Sequence, residues 1–259
     1  KWGRTLARHG ALRGIEEDPL TPPPVRRLAR IARFGARIPP TPDYAAALVA
    51  IGPAAIKLGQ ALSTRPDLVG ERAAENLSQL QDDLPPAPFA AIKQTIETSF
   101  AAPLETLFSE FDEKPIGAAS IAQVHRAVTT DGREVAVKVL RPGIEEEFAK
   151  AIGTYEWAAA HAEAYGGELE RLRPRLVVAQ FRQWTARELD LQREGASASE
   201  LRENMIAEPG YYVPEIDWRR TARRMLTLEW LDGIKLNDRE ALIEAGHDCH
   251  ALAQTLVRA

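Results

Sequence analysis

The stretch Glu134-Val135-Ala136-Val137-Lys138-Val139 decides the fold of this chain. Valines alternate with other residues along it, which is the pattern of a half-buried β-strand. The valines would lie on one face of a sheet and Lys138 on the other. There the Lys138 ammonium can meet phosphate oxygens as a compact positive charge. A lysine that only keeps a sheet edge soluble would give the same pattern, so other segments have to decide between the two interpretations.

A second predicted strand, residues 116–128, precedes this one, and Asp131-Gly132 between them is a strong signal for a hairpin turn. The second strand begins in a run of mostly small residues, which leave the backbone bare enough for a ligand to approach. That run is Ile116, Gly117, Ala118, Ala119, Ser120, Ile121, Ala122, Gln123 and Val124. It holds one glycine, so the G-x-G-x-x-G pattern of dinucleotide-binding folds is absent.

An acidic segment, residues 187–194, lies within a helical pattern that runs from Pro174 to Asn204. At roughly 100° per residue, Asp190 and Glu194 would lie about 40° apart, with Glu188 about 120° from Glu194. One helix could therefore present carboxylates to two different lysines. A solvated charged helix is the alternative, although the apolar residues in and around the segment favour a packed one.

The segment Lys57-Leu58-Gly59-Gln60 lies on a predicted helix that begins after Gly52-Pro53, with proline at a favourable first position. Lys57 and Gln60 are three residues apart and share a face, and Gly59 would permit another helix to approach closely. Taken alone, this is an ordinary surface pattern.

Composition limits the function classes. The 259 residues are 45% apolar and 27% charged, which suits one large domain or one lobe with a helical extension. No apolar run reaches the roughly 18 residues of a membrane span. The single cysteine, Cys249, excludes an internal disulfide, and the five histidines lack the spacing of metal ligands.

Charge is concentrated at the start of the chain. Nine basic and three acidic residues among the first 38 give a balance of +6, against −10 for the remainder. This predicts an anionic partner, a membrane surface or an acidic protein, while the lack of interleaved aromatic residues argues against nucleic acid. A helix predicted over residues 26–38 carries Leu28, Ile31, Phe34 and Ile38 at helical spacing. Burial of that face against its own domain is the favoured interpretation, and docking on a membrane surface is the alternative.

Together these segments resemble the UbiB family, the aarF-domain or ABC-one-type atypical kinases of ubiquinone biosynthesis. The resemblance extends from about Arg4 to Ala259. The matching segments are Ile56-Lys57-Leu58-Gly59-Gln60, Ser63-Thr64-Arg65-Pro66-Asp67-Leu68, Leu80-Gln81-Asp82, Gly117-Ala118-Ala119-Ser120-Ile121-Ala122-Gln123-Val124-His125, Val137-Lys138-Val139-Leu140-Arg141-Pro142-Gly143, Glu188-Leu189-Asp190 with Glu194, and Leu228-Glu229-Trp230-Leu231-Asp232-Gly233.

The resemblance implies an α+β fold. An N-terminal helical extension precedes a protein-kinase-like small lobe, which consists of an antiparallel sheet and the helix that is named αC in kinases. Residues 116–124 would cover the phosphates of ATP, and Lys138 would hold them while paired with Glu194. Glu229 and Leu231 would offer a hinge carbonyl and N–H to adenine. Lys57 and Gln60, with Glu188 and Asp190, would form a gate that restrains protein-kinase activity.

The implied domains are a basic arm and linker (1–43), the helical extension (44–112), the lobe and hinge (113–233) and the start of a large lobe (234–259). Family members use ATP or ADP with Mg²⁺ and associate with membranes and quinone-biosynthesis enzymes. The resemblance therefore implies a place on the cytoplasmic side of the inner membrane, peripheral or anchored through C-terminal segments absent here.

The chain departs from the family at its C-terminal end. The catalytic loop with its Asp, and the Asp-Phe-Gly motif whose Asp binds Mg²⁺, are not found before Ala259. We therefore expect a fragment of a longer atypical kinase or ATPase, with no catalytic residue or metal ligand in this chain. The alternatives are a non-catalytic scaffold with a pseudokinase fold that binds lipid or quinone, and a small-molecule kinase of the aminoglycoside or choline type. The latter would not explain residues 57–60.

Overall fold

The computed structural model describes residues 2–17, 21, 23–35, 39, 41–80, 84–164, 171 and 173–258. They form two compact units, one mainly helical and one built on a sheet. The helical unit comprises residues 1–85, 119–121 and 143–186, and the sheet unit comprises residues 86–118, 122–142 and 187–259.

The helices are α1 (Trp2–Arg8), α2 (Arg13–Glu17), α3 (Pro23–Arg33), α4 (Tyr44–Ile51), α5 (Pro53–Ser63), α6 (Pro66–Val69), α7 (Glu71–Ser78), α8 (Phe89–Phe100), α9 (Leu104–Leu107), α10 (Ile144–Ala164), α11 (Pro174–Glu188), α12 (Leu191–Met205), α13 (Arg239–Glu244) and α14 (Cys249–Arg258). A 3₁₀ turn covers Trp218–Arg220. The strands are β1 (Phe108–Phe111), β2 (Gly117–Ala118), β3 (Ala122–Thr129), β4 (Glu134–Leu140) and β5 (Met225–Glu229).

In the helical unit, α4 and α5 are separated by Gly52, whose φ of 132° is open to glycine but strained for other residues. Pro53 then starts α5, since a first helical position needs no N–H donor. The Asp43 side chain caps α4 by accepting a hydrogen bond from the Ala46 N–H at 2.9 Å. The helix that carries the Lys57 segment therefore begins where the sequence predicted.

The first helices pack through small residues. Ala7, Leu12 and Ala29 form a buried cluster, and a Cβ built on Gly3 would lie 3.3 Å from the Ala32 Cβ. Because alanines face α1, the larger residues of α3 point away from it: Leu28 and Ile31 are 61% and 65% exposed, and Phe34, which directly follows the helix, is 93% exposed. The favoured prediction, burial of this apolar face, is therefore wrong for these three residues. Ile38 lies outside the described residues.

The sheet is antiparallel, with strand order β1-β3-β4-β5 and β2 paired to β3. The β3–β4 hairpin closes at Asp131-Gly132, where Gly132 has φ 84°, and Lys138 lies opposite Val124. Helix α8 covers one face, on which the β3 and β4 side chains alternate inward as the sequence predicted. That core consists of Ile92, Ile96, Leu104, Phe108, Ala127, Val135, Val137, Val139 and Met225.

The structure differs from the predicted strands in two places. The strand expected over 116–128 is two strands, β2 and β3, because the chain reverses between them and Gly117 pairs with Val124. Outside the named strands, Ile216 forms a single bridge with Leu228. Strand β1 was not predicted, although it pairs with β3.

The helix expected over 174–204 is broken at Leu189 and Asp190, and α12 starts anew at Leu191. Asp190 has φ −125° and ψ 89°, and the Leu191 N–H donates to the Arg223 carbonyl at 2.9 Å. The break places both Leu189 and Leu191 in buried positions, 6% and 0% exposed. The helical-wheel angles expected between Glu188, Asp190 and Glu194 therefore do not apply.

The predicted domain limits at residues 43, 112 and 233 stay a prediction. The division into compact units falls elsewhere: α8 and β1, which were assigned to the helical extension, belong to the sheet unit.

Candidate functional site

Lys138 and Glu194 are brought together in the sheet unit. The Lys138 Nζ lies 2.7 Å from Glu194 Oε1 and 2.8 Å from Oε2, so the ammonium donates to both carboxylate oxygens. Lys138 comes from the face of β4 opposite the α8 core, and Glu194 from the first turn of α12. The lysine side chain is 27% exposed and the glutamate 47%. A cation held in this way keeps further N–H donors for a second anion.

Gly195 sets the depth of this pair. A Cβ at Gly195 would lie 3.1 Å from Leu226 Cδ1 and 3.3 Å from Trp218 Cη2. Leu226 is the cross-strand neighbour of Lys138. Because glycine at position 195 lets α12 lie close to β5, the preceding residue, Glu194, comes within reach of Lys138. The sequence contained this signal, a glycine directly after the αC-like glutamate, but it was not recognised.

A cleft of about 670 Å³ opens beside the ion pair. Lys138, Glu188 and Glu194 line it together with Arg187, Arg193 and Ser197, which sequence reasoning did not single out as binding residues. The Arg193 Nε lies 3.4 Å from Asp190 Oδ2. Three cationic side chains around one cleft suit an anionic ligand, and arginine suits phosphate oxygens in particular.

The predicted phosphate-covering run is only partly accessible. Ile116 is 56% exposed, and a Cβ at Gly117 would meet no atom within 4 Å, so the backbone there is bare. Ala118 and Val124 are half-buried. Residues 119–121 group with the helical unit, where Ser120 and Ile121 are buried.

Gln123 is 1% exposed and Ala122 is 2% exposed. The Gln123 amide oxygen accepts a hydrogen bond from the Ala87 N–H at 2.8 Å, and its amide nitrogen contacts His125 Nε2 at 2.8 Å. Both polar groups of this side chain are therefore used inside the lobe. The structure thus leaves the Gln123 side chain no contact to offer a ligand, contrary to what its place in the run suggested.

The predicted hinge lies at the end of β5. The Glu229 carboxylate accepts from Tyr212 Oη at 2.6 Å and from the Glu215 N–H at 3.1 Å. These bonds, the one from Tyr212 foremost, lower the pKa of Glu229 below its ordinary value. Leu231 follows at 46% exposure, and no described residue accepts a hydrogen bond from its N–H. The Glu229 side chain thus fixes the strand end, leaving backbone groups for the expected adenine contacts.

The four predicted gate residues fall in different units. Lys57 and Gln60 lie on α5 in the helical unit, where the Lys57 Nζ lies 5.9 Å from the centroid of the Trp184 ring. Glu188 and Asp190 lie in the sheet unit. Their common function stays a prediction.

Among the residues that the structure describes, no group of three or more His, Cys, Asp or Glu side chains could hold a metal ion. No helix in the described ranges is long and apolar enough to cross a bilayer.

Known proteins are similar to this chain in sequence and fold. Residues 79–259 match the ABC1 atypical kinase-like domain. Proteins named probable protein kinase UbiB are similar over most of the chain. The one from Marinobacter nauticus is 45% identical over 208 residues, which are 80% of this chain and 38% of the relative. The one from Xylella fastidiosa strain M12 is 42% identical over 212 residues, again 38% of the relative.

A solved structure, the Rv3197–erythromycin complex from Mycobacterium tuberculosis, is similar with a TM-score of 0.51 and 28% identity, over 72% of this chain and 46% of that one. The predicted α+β kinase-like fold is thereby confirmed. The chain spans about two-fifths of the length of its curated relatives. Because the domain match covers well over half of its residues, the chain belongs to the family of ABC1 atypical kinase-like proteins.

Proposed function

We propose that this chain forms the ATP-binding small lobe of an atypical kinase or ATPase that acts in ubiquinone biosynthesis. The observation that carries the proposal is the two-oxygen ion pair between Lys138 and Glu194 beside a cleft with further cationic side chains. The UbiB names of the relatives support the pathway.

In this proposal each residue has a defined task. Glu194 orients the Lys138 ammonium, which donates to the α- and β-phosphates of ATP. The backbone at Gly117 and Ala118 approaches the phosphates from above, and the Glu229 carbonyl and Leu231 N–H bind adenine. Mg²⁺, when bound with ATP, neutralises charge on the phosphates, and its ligands are expected outside this chain. The gate function that the family resemblance implies for Lys57, Gln60, Glu188 and Asp190 stays a prediction.

The test is calorimetric titration of the full-length protein with Mg-ATP and Mg-ADP. Lys138→Ala should weaken nucleotide binding about tenfold or more, since charged hydrogen bonds contribute about 1.5–3 kcal/mol each. Lys93→Ala is the matched control. Lys93 lies on α8, which packs on the opposite face of the sheet, and its ammonium pairs with the Glu105 carboxylate at 2.5 Å. Unchanged affinity in Lys138→Ala would contradict the assignment. If the unaltered protein binds no nucleotide, the non-catalytic lipid- or quinone-binding scaffold becomes the better explanation.

A second proposal concerns the membrane. We infer that the exposed face of α3 docks on an anionic lipid surface as a peripheral contact. Leu28, Ile31 and Phe34 share that face with the exposed side chains of Arg27 and Arg30. Basic and large apolar residues together are typical of helices that lie in the bilayer interface. Quinone-biosynthesis enzymes on the same membrane are the protein partners that this proposal implies.

A further inference from the structure

We propose that Gln123 and His125 form a hydrogen-bonded relay that positions the loop of residues 112–123, which contains most of the predicted phosphate-covering run. The relay connects the first residue of this loop, Asp112, to its last, Gln123, through buried side chains. This inference rests on the proposed nucleotide site. It assigns Gln123 the function of a positioning residue, where its place in the sequence suggested a ligand contact.

The contacts form one continuous chain. The Ala87 N–H donates to the Gln123 amide oxygen at 2.8 Å, so the amide nitrogen of Gln123 must point the other way. That nitrogen lies 2.8 Å from His125 Nε2, and His125 Nδ1 lies 2.7 Å from the Asp112 carbonyl oxygen. A carbonyl can only accept, so Nδ1 carries the proton and Nε2 accepts from Gln123.

Two residues of this chain of contacts, Asp112 and Gln123, are the two ends of the loop. Asp112 is the first residue after β1, and its N–H also donates to the Arg126 carbonyl at 3.0 Å. Gln123 lies near the start of β3, directly across from Ala118 of β2. The exposed backbone at Gly117 therefore lies in a loop whose two ends, Asp112 and Gln123, both contact the His125 imidazole.

The relay is completely buried. Gln123 and His125 are 1% and 0% exposed, on the sheet face opposite Lys138. The imidazole lies 5.1 Å from the Phe111 ring and 6.3 Å from the Phe89 ring, centroid to centroid. Val137 is its cross-strand neighbour, and Asp112 is the charged residue that acts on it electrostatically. Gln123 and His125 therefore lie on the sheet face opposite the cleft, and they can affect the loop only through the buried hydrogen bonds that hold its ends.

Only a neutral imidazole completes this chain. Burial lowers the pKa of His125 below its ordinary value of 6.5, which keeps the ring neutral at physiological pH. A proton on Nε2 would replace the acceptor for Gln123 by a second donor. A substitution at Gln123 can make the chain of contacts require an additional proton instead of excluding one. The resulting pH dependence of Mg-ATP binding is a readout that a merely structural contact would not give.

The experiment uses the full-length protein with Gln123→Leu, Gln123→Glu and Thr129→Val. Thr129 is the matched control: it is 0% exposed, lies on the same face at the other end of β3, and its hydroxyl hydrogen-bonds the Arg133 backbone within its own turn. Gln123→Leu breaks the relay and should weaken Mg-ATP binding about fivefold at every pH. Thr129→Val should leave the affinity unchanged at temperatures where all variants are folded.

Gln123→Glu keeps the acceptor for the Ala87 N–H but replaces the amide donor by a carboxylate. Its relay is complete only when the carboxyl–imidazole pair has taken up one further proton, which then lies between the carboxyl oxygen and Nε2. The ratio of its Mg-ATP dissociation constant to that of the unaltered protein should therefore fall towards one as the pH is lowered from 8 to about 6. A ratio that does not change with pH, or equal effects of Gln123→Leu and Thr129→Val, would overturn the inference.

Hydrogen exchange without nucleotide separates this inference from the proposed function. Gln123→Leu should speed amide exchange in residues 113–122, while Thr129→Val should not. If the unaltered protein binds no Mg-ATP, the proposed function fails, and the exchange data alone decide on the relay. Equal exchange in the two variants would contradict it.

Discussion

At the scale of single residues, Gly59 and Gly195 are required for close approach of neighbouring side chains. A Cβ at Gly59 would lie 2.4 Å from the Cδ1 atoms of both Leu48 and Leu80, far closer than packed carbons come. Because Lys57 and Gln60 are on the same helix, this glycine also sets how deeply α5 lies in the helical unit. The sequence predicted such a close approach at Gly59 from its place on a helix.

Gly59→Ala should therefore lower the free energy of unfolding by about 1–3 kcal/mol, because an added methyl group forces the buried Leu80 and the half-buried Leu48 to move. Gly153→Ala is the matched control, since Gly153 lies inside α10 and its added Cβ would meet no atom within 4 Å. There the better helix propensity of alanine should stabilise the protein by about 0.5–1 kcal/mol. Urea unfolding of both variants checks the signs, and a neutral Gly59→Ala would show that α5 can shift freely.

At the scale of elements, prediction succeeded where the periodicity was local. The β3–β4 hairpin was predicted because alternating valines and Asp131-Gly132 define strands and turn without reference to the rest of the fold. The break at Leu189 and Asp190 was missed, because the segment is helical by pattern. Its cause is the burial of two leucines and a hydrogen bond to Arg223, which only the folded chain provides.

The same limit applies to the candidate site. Lys138 and Glu194 could be paired in advance from the family resemblance, but Arg187 and Arg193 could not be placed beside them, since their directions depend on the helix break. The inward turn of Gln123 also escaped prediction. It follows a run of small residues, and Ala87, whose N–H donates to its amide oxygen, is 36 residues away along the chain.

A buried ionic cluster connects the β3–β4 turn to the segment before β5. The Asp217 carboxylate, 4% exposed, accepts from Arg133 and Arg220 at 2.8 Å each. Arg220 also donates to the Leu107 carbonyl at 2.7 Å and to Thr130 Oγ1 at 2.9 Å. Asp131, whose side chain is 54% exposed, is a second carboxylate in the cluster: it lies 2.8 Å from Arg133 Nε and 3.1 Å from Arg220 Nη2. Asp217 is therefore the buried one of the two counter-charges.

Asp217→Ala should cost about 2–3 kcal/mol of stability, because it removes the buried counter-charge of the mostly buried Arg220 guanidinium and leaves only the half-exposed Asp131 carboxylate beside it. The control is Asp67→Ala, which breaks an exposed pair with Arg65 and should change stability by less than about 0.5 kcal/mol. Thermal and urea unfolding can compare the two. Equal small losses would mean that water replaces the carboxylate and that the cluster does not anchor the turn.

At the scale of the whole molecule, the excess of basic residues and the proposed nucleotide site belong to different parts of the chain. The basic excess lies in the first 38 residues, and the nucleotide site is proposed for the sheet unit. Within the basic segment Arg33 is paired with Glu16 at 3.1 Å, whereas Arg27 and Arg30 of α3 are exposed, as are Arg4 and Arg8 of α1.

Lipid docking by α3 makes a prediction that separates charge from apolar contact. Binding of the full-length protein to phosphatidylcholine vesicles that contain phosphatidylglycerol should weaken about fivefold for each of Arg27→Gln and Arg30→Gln, as expected for about 1 kcal/mol per charge. Ile31→Ser and Phe34→Ser should weaken it at any ionic strength, whereas the effect of the arginines should fade as salt screens them. Ile243→Ser, at a 54% exposed site on α13, is the control and should have no effect.

Salt dependence carries the decisive information in this experiment. If α3 lies in the interface, added salt removes only the arginine contribution, so the Ile31→Ser and Phe34→Ser losses persist in high salt. If the basic segment only attracts the bilayer over a distance, salt abolishes binding and the apolar substitutions change nothing at any concentration. Binding that neither salt nor these four substitutions weaken would place the membrane contact elsewhere in the protein, and the exposed face of α3 would then be a surface for another protein.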